Sequence, residues 1–551
     1  WGGTPASQAA TVNAGGTSAV AVSYAVTGPP TTLNLRVDGV YLTQATQRYD
    51  GTTPLVAGRD AYLRVFTLAN EANTATPAVR VRLYSGAILV QSYTISAPSG
   101  SVPLAVAENV LASTWNVLVP GSLVQPNLMV LVDVDPSGLV AEANETDNSF
   151  PVSGSPGAVD VRSVPTFDVR FVPVLQTANG LEGVVNSGNT EAFLVNTRKM
   201  LPVAGYSADV RTSYTTSAPA LESGNGNGAW GTILSEVRAL KTLDGSSQYY
   251  YGVVKTSYSS GVAGIGYVGG GARTALGWDR LPSGSEVTSH ELGHNMGRSH
   301  APCGGAGGPD PSYPYAGGKI GVWGLDVATL APKDPAVYVD LMGYCDPDWV
   351  SDYNWAAMVS YRQAGPNNIV AVGQGTGRGL LVWGRITDQG PILEPAFVVN
   401  APLALPPPGP HRLEAMASDG TVLYRRGFSA VPVGDLPTGV EEGFAFVIPI
   451  ERAMELEMTT LRVVSGGRSA EQRAGGARDD PGFDLSRDAS GRAVLRWDRA
   501  AFPMVLVRDA VTGEVLSFAR GGEVHLPVTA GRLRLTASDG VRTRTEDRIL
   551  R

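Results

Sequence analysis

The sequence has no run of eighteen apolar residues, few charged residues and no excess of positive charge. The first absence means that no transmembrane helix is predicted. A net charge of −8 and a pI near 5.3 indicate no basic surface for nucleic acid or an anionic membrane. Only 17% of the residues are charged, whereas 67 are glycine and 38 are proline, which is typical of short strands joined by many turns. We therefore expect a largely β protein with no nucleic-acid partner and no transmembrane segment.

Histidine is also scarce, with five in 551 residues, and three of these fall between His290 and His300. This window reads HELGHNMGRSH and fits the pattern H-E-x-x-H-x-x-G-x-x-H at every fixed position. On a helix, His290 and His294 stand on one face and can reach the same metal ion. Gly297 can adopt a positive φ and turn the chain so that His300 supplies a third nitrogen. Three protein ligands and one open position predict a single catalytic Zn2+ ion.

The histidine window and a second motif resemble the metzincin zinc endopeptidases. In that family a methionine turn lies beneath the metal, and the run DLMGY at 340–344 is similar to it, with Met342 as the methionine. The resemblance covers roughly 165–365 and implies an α/β catalytic domain. It implies that Glu291 is the general base for a zinc-bound water. The resemblance also implies that Tyr344 both ligates zinc in the resting enzyme and donates a hydrogen bond to the oxyanion during the reaction; packing for structure alone is the alternative.

The expected function is that of a secreted zinc-dependent endopeptidase, a monomer that hydrolyses peptide bonds of extracellular proteins. Its substrate is a protein or a glycoprotein. One alternative is a metalloprotease selective for glycoproteins such as mucins, with glycans bound by the flanking β-sandwich domains. The other alternative is a nonproteolytic adhesin that retains the fold.

The only two cysteines, Cys303 and Cys345, flank the predicted site. In an exported protein they are well placed for a disulfide that would tie together two loops near the metal. Two buried free thiols are the alternative. Export to the cell surface or the medium is inferred from the types of domain predicted, not from a visible signal sequence. The numbering begins at Trp1 without a methionine, from which we expect that an export signal or other leader lies outside it.

Composition and hydrophobic alternation predict a multidomain chain, with the α/β metzincin domain flanked by all-β immunoglobulin-like sandwich domains. Alternation in the run VRVRLY at 79–84 is typical of a half-buried strand. The predicted segments are a linker or N-terminal tail at 1–28, an immunoglobulin-like sandwich at 29–155, the catalytic domain at 165–365, and β-sandwiches at 370–470 and 483–551.

The predicted first sandwich ends in the run LMVLVDVDPSGLVAEANETDNSF at 128–150. This ending resembles bacterial immunoglobulin-like domains related to cell-adhesion modules. Its acidic residues make Ca2+ a second candidate ion. A solvated turn held by Asx hydrogen bonds is the alternative use of the same residues.

Overall fold

The computed structural model describes residues 31–365, 370–436, 441–475, 480–528 and 531–550. The predicted tail at 1–28 lies outside these ranges. The chain is mostly β, with 41% of its residues in strands and 13% in helices. Among the described residues, no helix has the length and hydropathy needed to cross a bilayer.

The N-terminal part, up to about residue 165, has two antiparallel sheets packed face to face and a separate short pair of parallel strands. Strand alternation accounts for this packing, because Val79, Val81 and Leu83 are fully buried while the arginines between them are partly exposed. Trp115 fills the core between the sheets and donates its indole N–H to the carbonyl of Pro77. The strands are β1 Leu35–Thr43, β2 Leu55–Val56, β3 Ala61–Ala69, β4 Val79–Ser85, β5 Ile88–Ile95, β6 Trp115–Val119, β7 Leu128–Val134, β8 Ser149–Phe150, β9 Gly157–Ala158 and β10 Val161–Arg162.

The middle part carries four of the five helices in the described residues, packed on a partly parallel sheet. Helix α2 shows why they form here, since its buried residues Ile233, Leu234, Val237 and Leu240 follow the helical period. The elements are β11 Phe167–Gln176, α1 Thr190–Met200, β12 Tyr206–Val210, β13 Tyr214–Thr216, α2 Ala229–Asp244, β14 Tyr249–Val254, β15 Gly264–Gly266, β16 Thr274–Trp278, α3 Ser283–Asn295, β17 Gly324–Asp326, β18 Ala331–Lys333, β19 Val339–Asp340, β20 Asp348–Trp349 and α4 Asp352–Ala364.

The C-terminal part consists of further antiparallel sheets and one short helix. Two of the sheets, β22-β21-β23-β27-β26 and β25-β24-β28-β29, enclose a common apolar core. The elements are β21 Val370–Thr387, β22 Gly390–Leu393, β23 Phe397–Leu405, β24 His411–Ala417, β25 Val422–Phe428, β26 Val431–Pro432, β27 Glu441–Pro449, α5 Arg452–Glu457, β28 Met458–Ser465, β29 Arg468–Arg473, β30 Asp484–Arg487, β31 Ala493–Arg496, β32 Met504–Asp509, β33 Val515–Arg520, β34 Glu523–Leu526, β35 Gly531–Ser538 and β36 Thr543–Leu550.

The middle and C-terminal parts share one ten-stranded sheet, and this corrects the predicted fold class. Along the path β15-β16-β14-β11-β13-β33-β32-β35-β36, strand β13 pairs in parallel with β33, about three hundred residues later in the chain. The same apolar core holds Trp230 of α2 together with Trp383 and Phe518 of the C-terminal part. The prediction of an α/β metzincin domain flanked by all-β sandwiches is therefore wrong. The chain is mostly β, and the sheet behind the helices is continued by C-terminal strands.

Candidate metal centre

Helix α3 and the turn after it bring three histidines together. His290 and His294 project from one face of α3, which ends at Asn295. Gly297 follows with a φ of +83°, a conformation that a residue with a side chain rarely adopts. A Cβ at this position would also lie 3.0 Å from the ring of Tyr361. The turn at Gly297 thus returns the chain toward α3 and places His300 beside the other two rings.

The orientation of each imidazole is fixed by a backbone carbonyl. Nδ1 of His290 lies 2.7 Å from the carbonyl oxygen of Leu341, and Nδ1 of His294 lies 2.6 Å from that of Arg298. Nδ1 of His300 pairs in the same way with the carbonyl of Gly307. A carbonyl only accepts a hydrogen bond, so each Nδ1 carries the proton and each Nε2 presents a lone pair. All three lone pairs point into one small space.

A fourth group, the carboxylate of Asp435, faces the three Nε2 atoms. Its oxygens lie 3.3 Å from Nε2 of His290, 2.7 Å from that of His294 and 2.9 Å from that of His300. One ligand atom from each of the four residues lies within 4.8 Å of the others. The Nε2 atoms of His294 and His300 are 3.1 Å apart.

These distances and atom types fit a bound metal ion. Tetrahedral bonds of about 2.0–2.1 Å would place neighbouring ligand atoms roughly 3.3 Å apart, and the distances given above are 2.7–3.3 Å. Four facing acceptors would otherwise repel one another, and Nε2 of His290 and Oδ2 of Asp435 are buried without a hydrogen-bond partner. The group of three histidines and one aspartate can therefore hold a metal.

Asp435 was not predicted as a ligand from the sequence, and it lies 135 residues beyond His300 in the chain. Asp435 follows β26 and has a φ of +64°. Its loop is fixed to the edge of β15 by the hydrogen bond from the Gly434 amide to the carbonyl of Gly266, at 2.8 Å. Gly434 is required for this approach, since a Cβ there would lie 2.7 Å from Nε2 of His294. The run VPVGDLP at 431–437 has no motif that marks its aspartate as a ligand.

Glu291, predicted as the general base, lies beside the histidines on the buried side of α3. Its Oε2 atom is buried and has no hydrogen-bond partner. Burial and the nearby charge of Asp435 raise the pKa of Glu291 well above its usual range. The carboxylate fits closely against β15, where a Cβ at Gly264 would lie 2.6 Å from Oε1 of Glu291.

Met342 and Tyr344 occupy different sides of the cluster. Met342 is fully buried beneath α3, close enough that a Cβ at Gly293 would lie 2.4 Å from its sulfur. Tyr344 is about half exposed and donates a hydrogen bond from its hydroxyl to Oδ1 of Asp435. The same hydroxyl lies 3.5 Å from Nε2 of His300. Burial and the charge of Asp435 raise the pKa of Tyr344, so that the phenol stays protonated and remains a donor.

Cys303 and Cys345 form a disulfide, with 5.8 Å between their Cα atoms. The bond joins the loop after His300 to the residue after Tyr344. The amide of Tyr344 also donates to the carbonyl of Cys303, at 3.2 Å. The alternative of two free thiols is excluded by this bond.

A cavity of about 510 Å³ opens beside the cluster. His290, Glu291 and Tyr344 line one side, and the acidic residues Asp346 and Asp348 line another. Burial, with the charges of Glu286 and Asp346, raises the pKa of Asp348 to about 6. The acidic lining disfavours negatively charged ligands in this cavity.

The acidic residues at 128–150, for which calcium was a candidate, act as hydrogen-bond acceptors in the structure. Glu142 accepts from the amide of Leu35 at 2.7 Å, and Asp135 accepts from that of Val140 at 2.7 Å. Within the described residues, the group with metal-ligand geometry is the histidine and aspartate cluster. Calcium binding therefore stays a prediction.

Comparisons with known proteins place this chain in no family. No protein-family model matches it, and no curated protein matches it. Among solved structures, a CARDB domain from Pyrococcus furiosus in complex with di-metal ions is 16% identical, with a TM-score of 0.15, and covers 24% of this chain and 97% of its own. A glycosyl hydrolase family 2 member from Bacteroides cellulosilyticus is 10% identical, with a TM-score of 0.17, and covers 94% of this chain and 79% of its own. A Parabacteroides merdae β-glucuronidase is 10% identical, with a TM-score of 0.15, over 94% of this chain and 78% of its own.

These findings correct the predicted family and activity. The similar structures are glycosyl hydrolases of family 2 and a CARDB domain, and no metzincin is among them. The predicted metzincin zinc endopeptidase, with its alternatives, is therefore wrong. The site gives a physical reason, because the predicted reaction needs a water on the fourth metal position and Asp435 faces that position. Structural similarities with TM-scores this low do not indicate a glycosidase activity for this chain either.

Proposed function

We propose that this protein binds one zinc ion through His290, His294, His300 and Asp435, and that the ion joins the loop at 433–436 to helix α3. The observation that carries the proposal is the convergence of three Nε2 lone pairs and one carboxylate; a backbone carbonyl orients each imidazole, and the Tyr344 hydroxyl donates to the carboxylate. Bound zinc supplies a positive charge that neutralises these four acceptors. The ion thereby stabilises the contact between the middle and C-terminal parts of the chain.

The donor set favours zinc over other common ions. Three imidazole nitrogens and one carboxylate oxygen suit a borderline metal in tetrahedral coordination. Calcium and magnesium prefer six or more oxygen ligands, which this cluster does not supply. Four protein ligands make a closed site, as in structural zinc centres.

The neighbouring residues have supporting roles in this proposal. Gly297 provides the turn that returns His300, and Met342 packs beneath α3 to hold its ligand face in place. Tyr344 orients Asp435 through its hydroxyl. The disulfide of Cys303 and Cys345 restrains the loops around the site and supports export to an oxidising compartment.

Metal content of the purified protein tests the proposal. After loading with zinc and dialysis, we expect one zinc per chain by inductively coupled plasma mass spectrometry, and close to none in His294→Ala. His525→Ala is the matched control, because His525 is about 41% exposed and pairs with Glu523 and Asp488 far from the site. Equal zinc content in His294→Ala and the wild type would refute the proposal.

A further inference from the structure

A second cavity, of about 380 Å³, lies between helix α2 and the C-terminal sheets. Its walls are mostly apolar and include Pro402, Leu403, Val431 and Ala445. A volume of this size with apolar walls and a few polar groups is typical of sites for small organic molecules. The cavity shares no lining residue with the one beside the metal centre.

Two cationic side chains, Arg238 and Lys241, lie on the α2 side of this cavity. Arg238 donates a hydrogen bond to the carbonyl of Gly443 at 2.7 Å, and its guanidinium lies 4.7 Å from the ring centre of Tyr267. Lys241 stands three residues further along α2, on the same side of the helix.

In the described part of the chain, neither of these charges is paired with a carboxylate. Within the described part of the chain, none lies within 4.0 Å of the charged nitrogens of Arg238 or Lys241. Burial, together with the positive charges of Arg273 and Arg238, lowers the pKa of Lys241 to about 7. A partly buried cluster of like charges is costly unless an anion joins it.

We propose that this cavity binds a small organic molecule with an apolar chain and one carboxylate. The carboxylate pairs with Lys241 and Arg238, and the apolar chain lies against Leu403 and Val431. The carboxylate supplies the negative charge that the two cationic side chains lack. The apolar chain packs against the apolar walls of the cavity, a contact that an inorganic anion could not make. This site is separate from the metal centre and does not depend on the zinc proposal.

Calorimetric titration of the zinc-loaded full chain with octanoate and with octan-1-ol tests this proposal. We expect one octanoate per chain, bound about tenfold or more tightly than octan-1-ol, because one charge-assisted pair typically provides that factor. Lys241→Met should lower octanoate affinity by about the same factor and leave octan-1-ol unchanged. Lys255→Met is the control, since Lys255 is exposed and outside the cavity, and it should bind both as the wild type does.

A second variant tests the cavity without altering charge. Ala404→Phe places a ring among the lining residues and should abolish binding of both compounds, while its melting temperature shows that it is folded. Octanoate that does not bind the wild type, octan-1-ol that binds equally well, or unchanged octanoate binding in Lys241→Met or Ala404→Phe would each overturn the proposal.

Discussion

Two buried carboxylates join the middle part of the chain to the C-terminal part, and they face different partners. Glu236 on α2 is fully buried and accepts hydrogen bonds from the hydroxyls of Tyr214, at 2.9 Å, and Thr216, at 2.7 Å. It also pairs with the guanidinium of Arg520 on β33. Asp435 instead faces three imidazoles that present lone pairs.

The difference predicts which contact between the parts would depend on an ion. The Glu236 site contains its own cation and its own donors, so it is complete within the protein chain. The Asp435 site has four acceptors in facing positions, with the Tyr344 hydroxyl as a donor to one of them. The first contact should survive removal of metal, and the second should not.

The largest effect is expected from Arg520→Met, which leaves the Glu236 carboxylate buried without a cation. Removing one partner of a buried ion pair typically costs about 3–5 kcal/mol of unfolding free energy. We expect a loss of this size in urea unfolding, with unchanged zinc content. Arg534→Met is the control, because Arg534 pairs with Asp547 at a side-chain exposure of 52% and such pairs contribute about 0–1 kcal/mol. Equal losses in both variants would contradict the comparison.

A chelator should weaken the contact of Asp435 with the three histidines. With free zinc at about 100 to 1,000 times its dissociation constant, binding to the folded state contributes about 2.7–4.1 kcal/mol, and a chelator removes this amount. The same decrease should appear in Arg520→Met, whose ion site is intact. His294→Ala should show no decrease. A chelator effect of equal size in His294→Ala would mean that the stabilising ion is bound elsewhere.

The smallest effects are expected from removing the hydroxyl of either tyrosine that donates to these carboxylates, and the two variants should differ in what they change. Tyr344→Phe removes the donor to Asp435 and should weaken zinc affinity by about 10- to 100-fold, as is typical for a partner of a metal ligand. Tyr214→Phe removes a donor to Glu236 and should lower unfolding free energy by about 1 kcal/mol without changing zinc affinity. Competition with a chromophoric chelator measures the affinities. Equal changes of zinc affinity in the two variants would contradict this difference between the sites.

Local patterns were sufficient to predict part of this structure. The alternation in β4 and the pattern around Gly297 are properties of short segments, and the structure has a strand and a positive-φ turn there. The placement of Cys303 and Cys345 next to two motifs likewise predicted a disulfide that the structure contains.

Other features depend on pairings between distant segments, which short patterns do not encode. The parallel pairing of β13 with β33 places strands of the middle and C-terminal parts in one sheet. Asp435 reaches the histidines only because its loop pairs with β15. Without that pairing, the histidine pattern leaves the fourth metal position open, and the activity predicted from it was wrong.

Amide hydrogen exchange of the segment at 431–436 tests most directly whether the ion joins this loop to α3. In the wild type, zinc should slow exchange of the Gly434 amide, which donates to Gly266, relative to protein treated with a chelator. In Asp435→Asn, zinc should still bind to the three histidines but leave exchange in this segment unchanged. Exchange that is equally fast with and without bound zinc in the wild type would contradict the account.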